Sequence, residues 1–236
     1  PPPPPPPPPP PRHPHTSPTR RSSDLLAFGY QPGEENILFH GVNFELKPQD
    51  RIAVIGKNGK GKTTLLNVLA GQFKPSNGSI KSHPSIAVGY YQQTNRKDLN
   101  PNMTVAEEVA SSNIALGVSE VRSICGAMLF PGGDADKKIK VLSGGEQGRV
   151  LLGKILAHAN NVLLLDEPSN HLDMESIEVL INEIDDFPGA AVIVTHNEEM
   201  LRKLANKLVI FSHGSARYFN GTYDEFLEQI GWEEEG

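Results

Sequence analysis

Arg51-Ile52-Ala53-Val54-Ile55-Gly56-Lys57-Asn58-Gly59-Lys60-Gly61-Lys62-Thr63-Thr64 is the stretch that decides the fold. The apolar run from Ile52 to Ile55 suits a buried strand, and Lys62 to Ala70 suits a helix. Between them, Gly56 to Thr63 fits the pattern Gly-x-x-x-x-Gly-Lys-Ser/Thr. Such a loop needs glycine because its backbone curls around phosphate oxygens and turns its N–H groups inward. Gly56, Lys57, Asn58, Gly59, Lys60, Gly61, Lys62, Thr63 and Thr64 are therefore read as a phosphate cradle at a helix N-terminus. Lys62 supplies a point charge for the outer phosphates, and the Thr63 hydroxyl is a ligand for Mg²⁺. The bland alternative is a glycine-rich turn before a surface helix, which leaves the Lys-Thr pair unexplained.

Working outward, the rest of the chain alternates strands and helices. Asn43 to Leu46, Ala87 to Tyr91, Val162 to Leu165, Ala191 to Thr195, Lys207 to Phe211 and Ala216 to Phe219 read as strands. The pattern from Val105 to Phe130 is helical, with Asn102 or Thr104 as its cap. Further helices are expected from about Gly145 to Ala157, from Met174 to Phe187 before Pro188-Gly189, and from Thr222 to Ile230. This alternation implies an α/β domain with a mainly parallel sheet. The helical stretch between Gln93 and Ser143, about residues 94–142, is expected to form a small subdomain against it.

Four more motifs follow the loop in order: Gln93, then Leu142-Ser143-Gly144-Gly145-Glu146, then Leu163-Leu164-Leu165-Asp166-Glu167, then Val194-Thr195-His196. Asp166 ends an apolar strand, which holds a carboxylate near a metal with little solvent around it. Glu167 comes next, where a carboxylate can act as general base on an attacking water, an effect worth about 10²- to 10⁴-fold. Ser143 and two glycines at a helix start form a second anion-binding terminus.

The order and wording of the five motifs resemble the ATP-binding cassette (ABC) ATPases, over about residues 25–231. Leu142 to Glu146 is the discriminating segment. The resemblance implies a P-loop NTPase fold of ABC type, with an antiparallel β subdomain and a helical subdomain. It implies ATP and Mg²⁺ as ligands. Thr63, Gln93 and Asp166 are the implied metal contacts, with Gln92 the rival of Gln93. It assigns hydrolysis to Glu167 and a γ-phosphate switch role to His196. Tyr30 is the implied adenine-stacking aromatic, with Phe28 the alternative. Ser143, Gly144, Gly145 and Glu146 are implied to close over the ATP held by a second cassette, so the active unit is a head-to-tail pair. A lone copy is then expected to bind nucleotide and to hydrolyse poorly.

Two wordings narrow the resemblance. Asp166-Glu167-Pro168-Ser169-Asn170-His171-Leu172-Asp173 is similar to the matching string of ABC-F proteins, with Ser169 in place of Thr. Glu146 followed by Gln147-Gly148-Arg149 points the same way. ABC-F proteins carry two cassettes in one chain, have no membrane domain and act on ribosomes, so a cytoplasmic translation factor is implied. The short Gln93–Ser143 spacing suits their second cassette, or the first of an armless member. The alternative is the ATP-binding subunit of a membrane transporter. A cassette with degraded hydrolysis is a third reading, opposed by the intact Lys62, Asp166, Glu167 and His196.

Composition agrees with a domain of this kind. The 236 residues carry a formal charge of −6 and a single cysteine, Cys125. No intrachain disulfide can form, and a reducing compartment is expected. No apolar run approaches the length of a bilayer span, and no signal peptide is expected. The acidic balance disfavours a simple electrostatic grip on nucleic acid. In ABC-F proteins, RNA contact falls largely to the linker between cassettes. His83, His158 and His213 show no ligand spacing, and no zinc site is expected.

Residues 1–24 hold 13 of the 21 prolines, including the run Pro1 to Pro11. The physical reading is a solvated polyproline II rod, and the functional one a ligand for a proline-recognition domain. The favoured reading is that the segment is not biological. Pro18-Thr19-Arg20-Arg21-Ser22-Ser23-Asp24 reads as one translated frame of a common sequencing adapter, and a run of C bases translates as polyproline. Without this segment the remainder has 19 basic and 27 acidic residues, net −8. Residues 232–236 are read as the start of a linker or tail.

Overall fold

A computed structural model describes residues 26–30, 37–92, 97–170, 172–212 and 214–232. The proline-rich segment and Gln93 lie outside the described residues, as do His171 and His213. The strands are β1 (Leu26–Gly29), β2 (Ile37–Val42), β3 (Arg51–Gly56), β4 (Val88–Tyr91), β5 (Val162–Asp166), β6 (Ala190–Val194), β7 (Lys207–Ser212) and β8 (Ser215–Phe219). The helices are α1 (Lys62–Leu69), α2 (Val105–Ala110), α3 (Val118–Ala127), α4 (Gly144–Ala157), α5 (Met174–Asp185), α6 (Glu198–Leu204) and α7 (Tyr223–Gln229).

The eight strands form one sheet in the order β1-β2-β8-β7-β3-β6-β5-β4. Its centre is parallel: β3 pairs with both β6 and β7, and β5 pairs with β4 and β6. β1 against β2 and β7 against β8 are antiparallel. Every residue of β3 and of β6 is buried. Strands covered on both faces read as continuous apolar runs, which is why these were legible in the sequence. β3 and β5 run parallel on either side of β6, so the phosphate loop and Asp166 leave the same end of the sheet. In open parallel sheets that end is where ligands bind.

Helix α5 shows how the layers lock. Ile177, Leu180, Ile181 and Ile184 recur at helical spacing and are all buried. Asp173 caps the helix by accepting from the Ser176 N–H at 2.8 Å. At its far end the buried Arg51 guanidinium donates to the backbone oxygens of Asp185, at 3.1 Å, and of Phe187. It also donates to Gly189 O at 2.7 Å. One side chain from β3 thus satisfies the carbonyls that end α5.

Three local readings are corrected. The helical pattern from Val105 to Phe130 is two helices, broken across residues 111–117. Asn113 turns its amide onto Ala157 O at 3.0 Å, a tertiary bond that ends the first helix. Thr104, not Asn102, caps α2, and it exchanges bonds with Glu107 in a capping box. Asn43 to Leu46 is extended with alternating exposure but makes no ladder, and the strand of this region is β2. Helix α6 had no sequence reading at all. It is only seven residues long and rests on the Asn197 cap, whose side chain accepts from Met200 N–H.

Helices α2 and α3 pack with α4, and a 3₁₀ turn (Gly132–Asp136) packs against α2 and α3. The joint includes an ion pair from Lys154 on α4 to Glu108 on α2. Glu108 is only 2% exposed. Its other oxygen accepts the Asn100 N–H at 3.2 Å, so the buried carboxylate is satisfied twice.

Candidate nucleotide site

The site is built on the turn from β3 into α1. Gly56 has φ +138°, and a Cβ there would lie 2.5 Å from Phe211 O on the neighbouring strand. Gly61, at φ +102°, sits against Phe39, 2.9 Å from where a Cβ would be. Both positions require glycine, one for close strand approach and one to start the helix. The loop surrounds the Lys62 ammonium, which donates to Gly56 O at 2.6 Å, Lys57 O at 3.1 Å and Asn58 Oδ1 at 3.3 Å. Burial lowers the Lys62 pKa, and Glu167 and Asp166 oppose that shift.

A cavity of about 350 Å³ opens here. Gly59, Lys62, Thr63, Thr64, Asp166 and Glu167 line it, with Asn58, Gly61, Tyr30, Leu38 and Val194. Of the predicted site residues, the structure thus brings the loop, Tyr30 and the acidic pair together. Tyr30 and Phe28 divide the roles that the sequence left open between them. Phe28 is buried among Phe39 and Phe73, whereas Tyr30 is 66% exposed and packs edge-on to Phe28 at 5.1 Å. The Tyr30 hydroxyl lies 2.9 Å from Thr64 Oγ1, which ties the ring to the start of α1.

The two carboxylates differ. Asp166 ends β5 and accepts a hydrogen bond from the Thr63 side chain. Burial raises its pKa, and Thr63 and Lys62 oppose the rise. Glu167 sits at φ +49°, a left-handed conformation for a residue with a Cβ. It is pinned there by its N–H bonding Val194 O at 2.8 Å and its carbonyl accepting Asn170 N–H at 3.2 Å. Burial raises its pKa from 4.5, partly offset by the His196 backbone N–H that it accepts. A carboxylate so placed is a stronger base than one in water. His196 Nε2 lies 3.4 Å from Glu167 Oε1 and 2.8 Å from Asn58 Oδ1.

Whether these residues suit a divalent ion is a matter of donor set. Among the described residues, no group of three or more His, Cys, Asp or Glu side chains converges to hold a metal. Thr63 and Asp166 offer two hard oxygens in contact with each other beside the phosphate loop. That set fits Mg²⁺, which takes few protein ligands and completes its shell with phosphate oxygens and water. Gln92, the rival for the glutamine contact, uses its amide nitrogen to bridge α1 and β4. Its amide donates to Asn67 Oδ1 at 2.8 Å and to the Tyr90 hydroxyl at 2.5 Å. The Tyr90 hydroxyl also donates to Asn67 Oδ1 at 2.8 Å. Its own pKa is raised from 10 beyond the usual phenol range, first by burial. Sequence reading missed this link between β4 and α1, since an Asn in mid-helix gives no signal by itself.

The segment Ser143 to Glu146 is placed apart. None of the four residues lines the cavity. Ser143 caps α4 through the Glu146 N–H at 3.3 Å, and Glu146 accepts the Ser143 N–H at 2.7 Å. These contacts lower the Glu146 pKa. Arg149, one turn on, reaches the start of α5: it donates to Ser176 Oγ at 2.7 Å, stands 3.6 Å from Asp173 and covers the Phe130 ring. His83 and His158 are exposed. Among the described residues, no helix is long and apolar enough to cross a membrane.

Residues 39–170 match the ABC transporter family model. The chain belongs to this family, as an ATP-binding ATPase domain of the cassette type. Its curated relatives include the probable ATP-binding protein YbiT of Escherichia coli O157:H7, 38% identical over 83% of this chain and 37% of that protein. The energy-dependent translational throttle protein EttA of Haemophilus influenzae is 33% identical over 82% of this chain and 36% of its own. ATP-binding cassette sub-family F member 3 of Mus musculus is 31% identical over 89% and 29%. The chain spans about a third of the length of the curated relatives it matches. In fold it is similar to the ATP-binding cassette MJ0796, solved as a dimer in a post-hydrolysis state bound to ADP and Pi. That likeness has TM-score 0.66 and 23% identity, covering 83% of this chain and 97% of that one.

Proposed function

We propose that this cassette binds ATP with Mg²⁺ and hydrolyses it when paired head to tail with a second cassette. The unit would be part of a cytoplasmic ABC-F translation factor acting on the ribosome. One observation carries the hydrolytic part: Glu167, held at positive φ, lines the phosphate-loop cavity beside Asp166 and within reach of His196. In this reading the loop amides from Gly59 to Thr64 and the Lys62 ammonium hold the β- and γ-phosphates, and Tyr30 stacks on adenine. Thr63 and Asp166 hold the metal, with Gln93 as a further contact. Mg²⁺, when bound, draws charge from the transferring phosphoryl group. Glu167 takes the proton of the attacking water, and the His196 imidazole faces the γ-phosphate. Ser143, Gly144, Gly145 and Glu146 supply the second wall of the partner's site. ATP then biases an open–closed equilibrium, because only the closed pair makes both sets of phosphate contacts.

The translational part is supported by two things: the Asp166–Asp173 wording, and relatives named as a sub-family F member and a translational throttle. The test is Glu167→Gln. Turnover is expected to fall about 10²- to 10⁴-fold, while ATP-dependent pairing in analytical ultracentrifugation persists. Equal turnover removes Glu167 from the mechanism. For the partner, the Glu167→Gln cassette placed in its full-length native protein is expected to co-sediment with ribosomes only when ATP is present. Failure to do so leaves an ATPase whose partner is not the ribosome.

A further inference from the structure

Asn58 lies between the Lys62 ammonium and the His196 ring. Its Oδ1 is 3.3 Å from the Lys62 ammonium and 2.8 Å from His196 Nε2. An ammonium carries donors only, so the amide atom that faces Lys62 must be the oxygen. An amide oxygen only accepts, so the ring nitrogen that touches the same oxygen must carry a proton. The second neighbour of Nε2, the Glu167 carboxylate at 3.4 Å, is also only an acceptor when ionised. The bond to Asn58 Oδ1 thus excludes a lone pair on Nε2.

We propose that Asn58 is a positioning residue for His196, holding its imidazole in the Nε2–H tautomer and pointing that N–H into the space shared by Lys62 and Glu167. This rests on the reading of His196 given above and adds how the ring is prepared for it. A phosphate oxygen accepts hydrogen bonds, so an Nε2–H donor attracts it and an Nε2 lone pair repels it. A neutral histidine in water divides between its two tautomers. Which nitrogen is protonated in a protein is set by the bonds that the ring makes. The phosphate loop itself, through its third residue, would therefore select the useful form of a side chain that stands 138 positions away.

The test is a long-range ¹H–¹⁵N correlation spectrum of the full chain, with His196 assigned by the loss of its signals in His196→Gln. The native protein, held above the pH at which the ring protonates, is expected to show His196 as Nε2–H. Asn58→Ala is expected to shift it toward a mixture with Nδ1–H. Asn58→Asp keeps an acceptor oxygen and is expected to keep Nε2–H, which also guards against a misfolded alanine variant. Nδ1–H in the native protein, or an unchanged tautomer in Asn58→Ala, overturns the proposal. Kinetics give the second readout. Asn58→Ala is expected to lower kcat about 10- to 100-fold, the scale found for partners that orient metal-bound histidines. That loss is expected to vanish in a His196→Ala background. If it persists there, Asn58 acts apart from His196. If His196→Ala alone leaves turnover intact, the role of His196 fails while the tautomer result stands.

Discussion

The two glycine-rich helix starts of this molecule, at α1 and at α4, are in opposite conditions. The start of α1 is a furnished site. Its loop wraps an ammonium, two carboxylates face it from β5, and an exposed tyrosine stands at its rim. The start of α4 has the same ingredients in sequence, glycines and a hydroxyl, yet it lines no part of that cavity. Its Ser143 and Glu146 satisfy each other in a capping box. The lesson is that a helix N-terminus becomes a site through what converges on it. The first gathers its partners from its own fold. In the proposed function, the second is a preformed surface that meets the nucleotide of a second cassette.

The largest expected effect breaks the helical side of this comparison. Lys154→Met leaves the Glu108 carboxylate buried without its cation, which is expected to cost about 3–5 kcal/mol in denaturant unfolding. An unchanged midpoint would mean that α4 is not anchored through this pair. Next, Ser143→Arg places a long cation at the exposed helix start. ATP affinity of the lone cassette is expected to stay within about twofold, while turnover falls about 10²- to 10³-fold, the loss typical of a missing oxyanion donor. Equal loss of ATP affinity would make the two helix starts one site. Ser143→Ala is milder, removing a cap worth about 0.5–2 kcal/mol of stability, read as a small fall in Tm.

The smallest effect concerns pH and sharpens the furnished half. Burial raises the Glu167 pKa above 4.5, so its ionised form opposes folding. The stability that the neutral form provides is complete below pH 4.5 and is lost as pH rises through the raised value. Glu167→Gln is therefore expected to stabilise the nucleotide-free protein at pH 7 and to make no difference near pH 4. A melting series across that window checks it. The sign follows from which state binds the extra proton: between 4.5 and the raised value it is the folded one. In the native enzyme the same shift is expected to put the acid limb of turnover above pH 4.5.

How much was legible depended on whether a signal was local. β3, β5 and β6 are buried on both faces and read as apolar runs; α1 follows the glycine loop, and α4 and α5 carry helical spacing with side-chain caps in place. Asn43 to Leu46 misled because it alternates as a strand does while no neighbouring strand pairs with it. The break across residues 111–117 was hidden because the Asn113 bond that fixes it reaches Ala157, on another helix. The Tyr90–Asn67–Gln92 hub was hidden for the same reason.

By itself the sequence determined the α/β fold, the phosphate loop and the acidic pair, because each is written in residues adjacent along the chain. Backbone geometry and strand burial are short-range requirements, and glycine, lysine and apolar runs answer them directly. Tertiary structure alone decided which aromatic lines the cavity, where the Gln92 amide nitrogen bonds and that Glu167 is held at positive φ. It alone brought Asn58 to His196. Those contacts join β-strand ends that lie far apart in the chain, and the sheet order that makes them neighbours is a property of the whole fold.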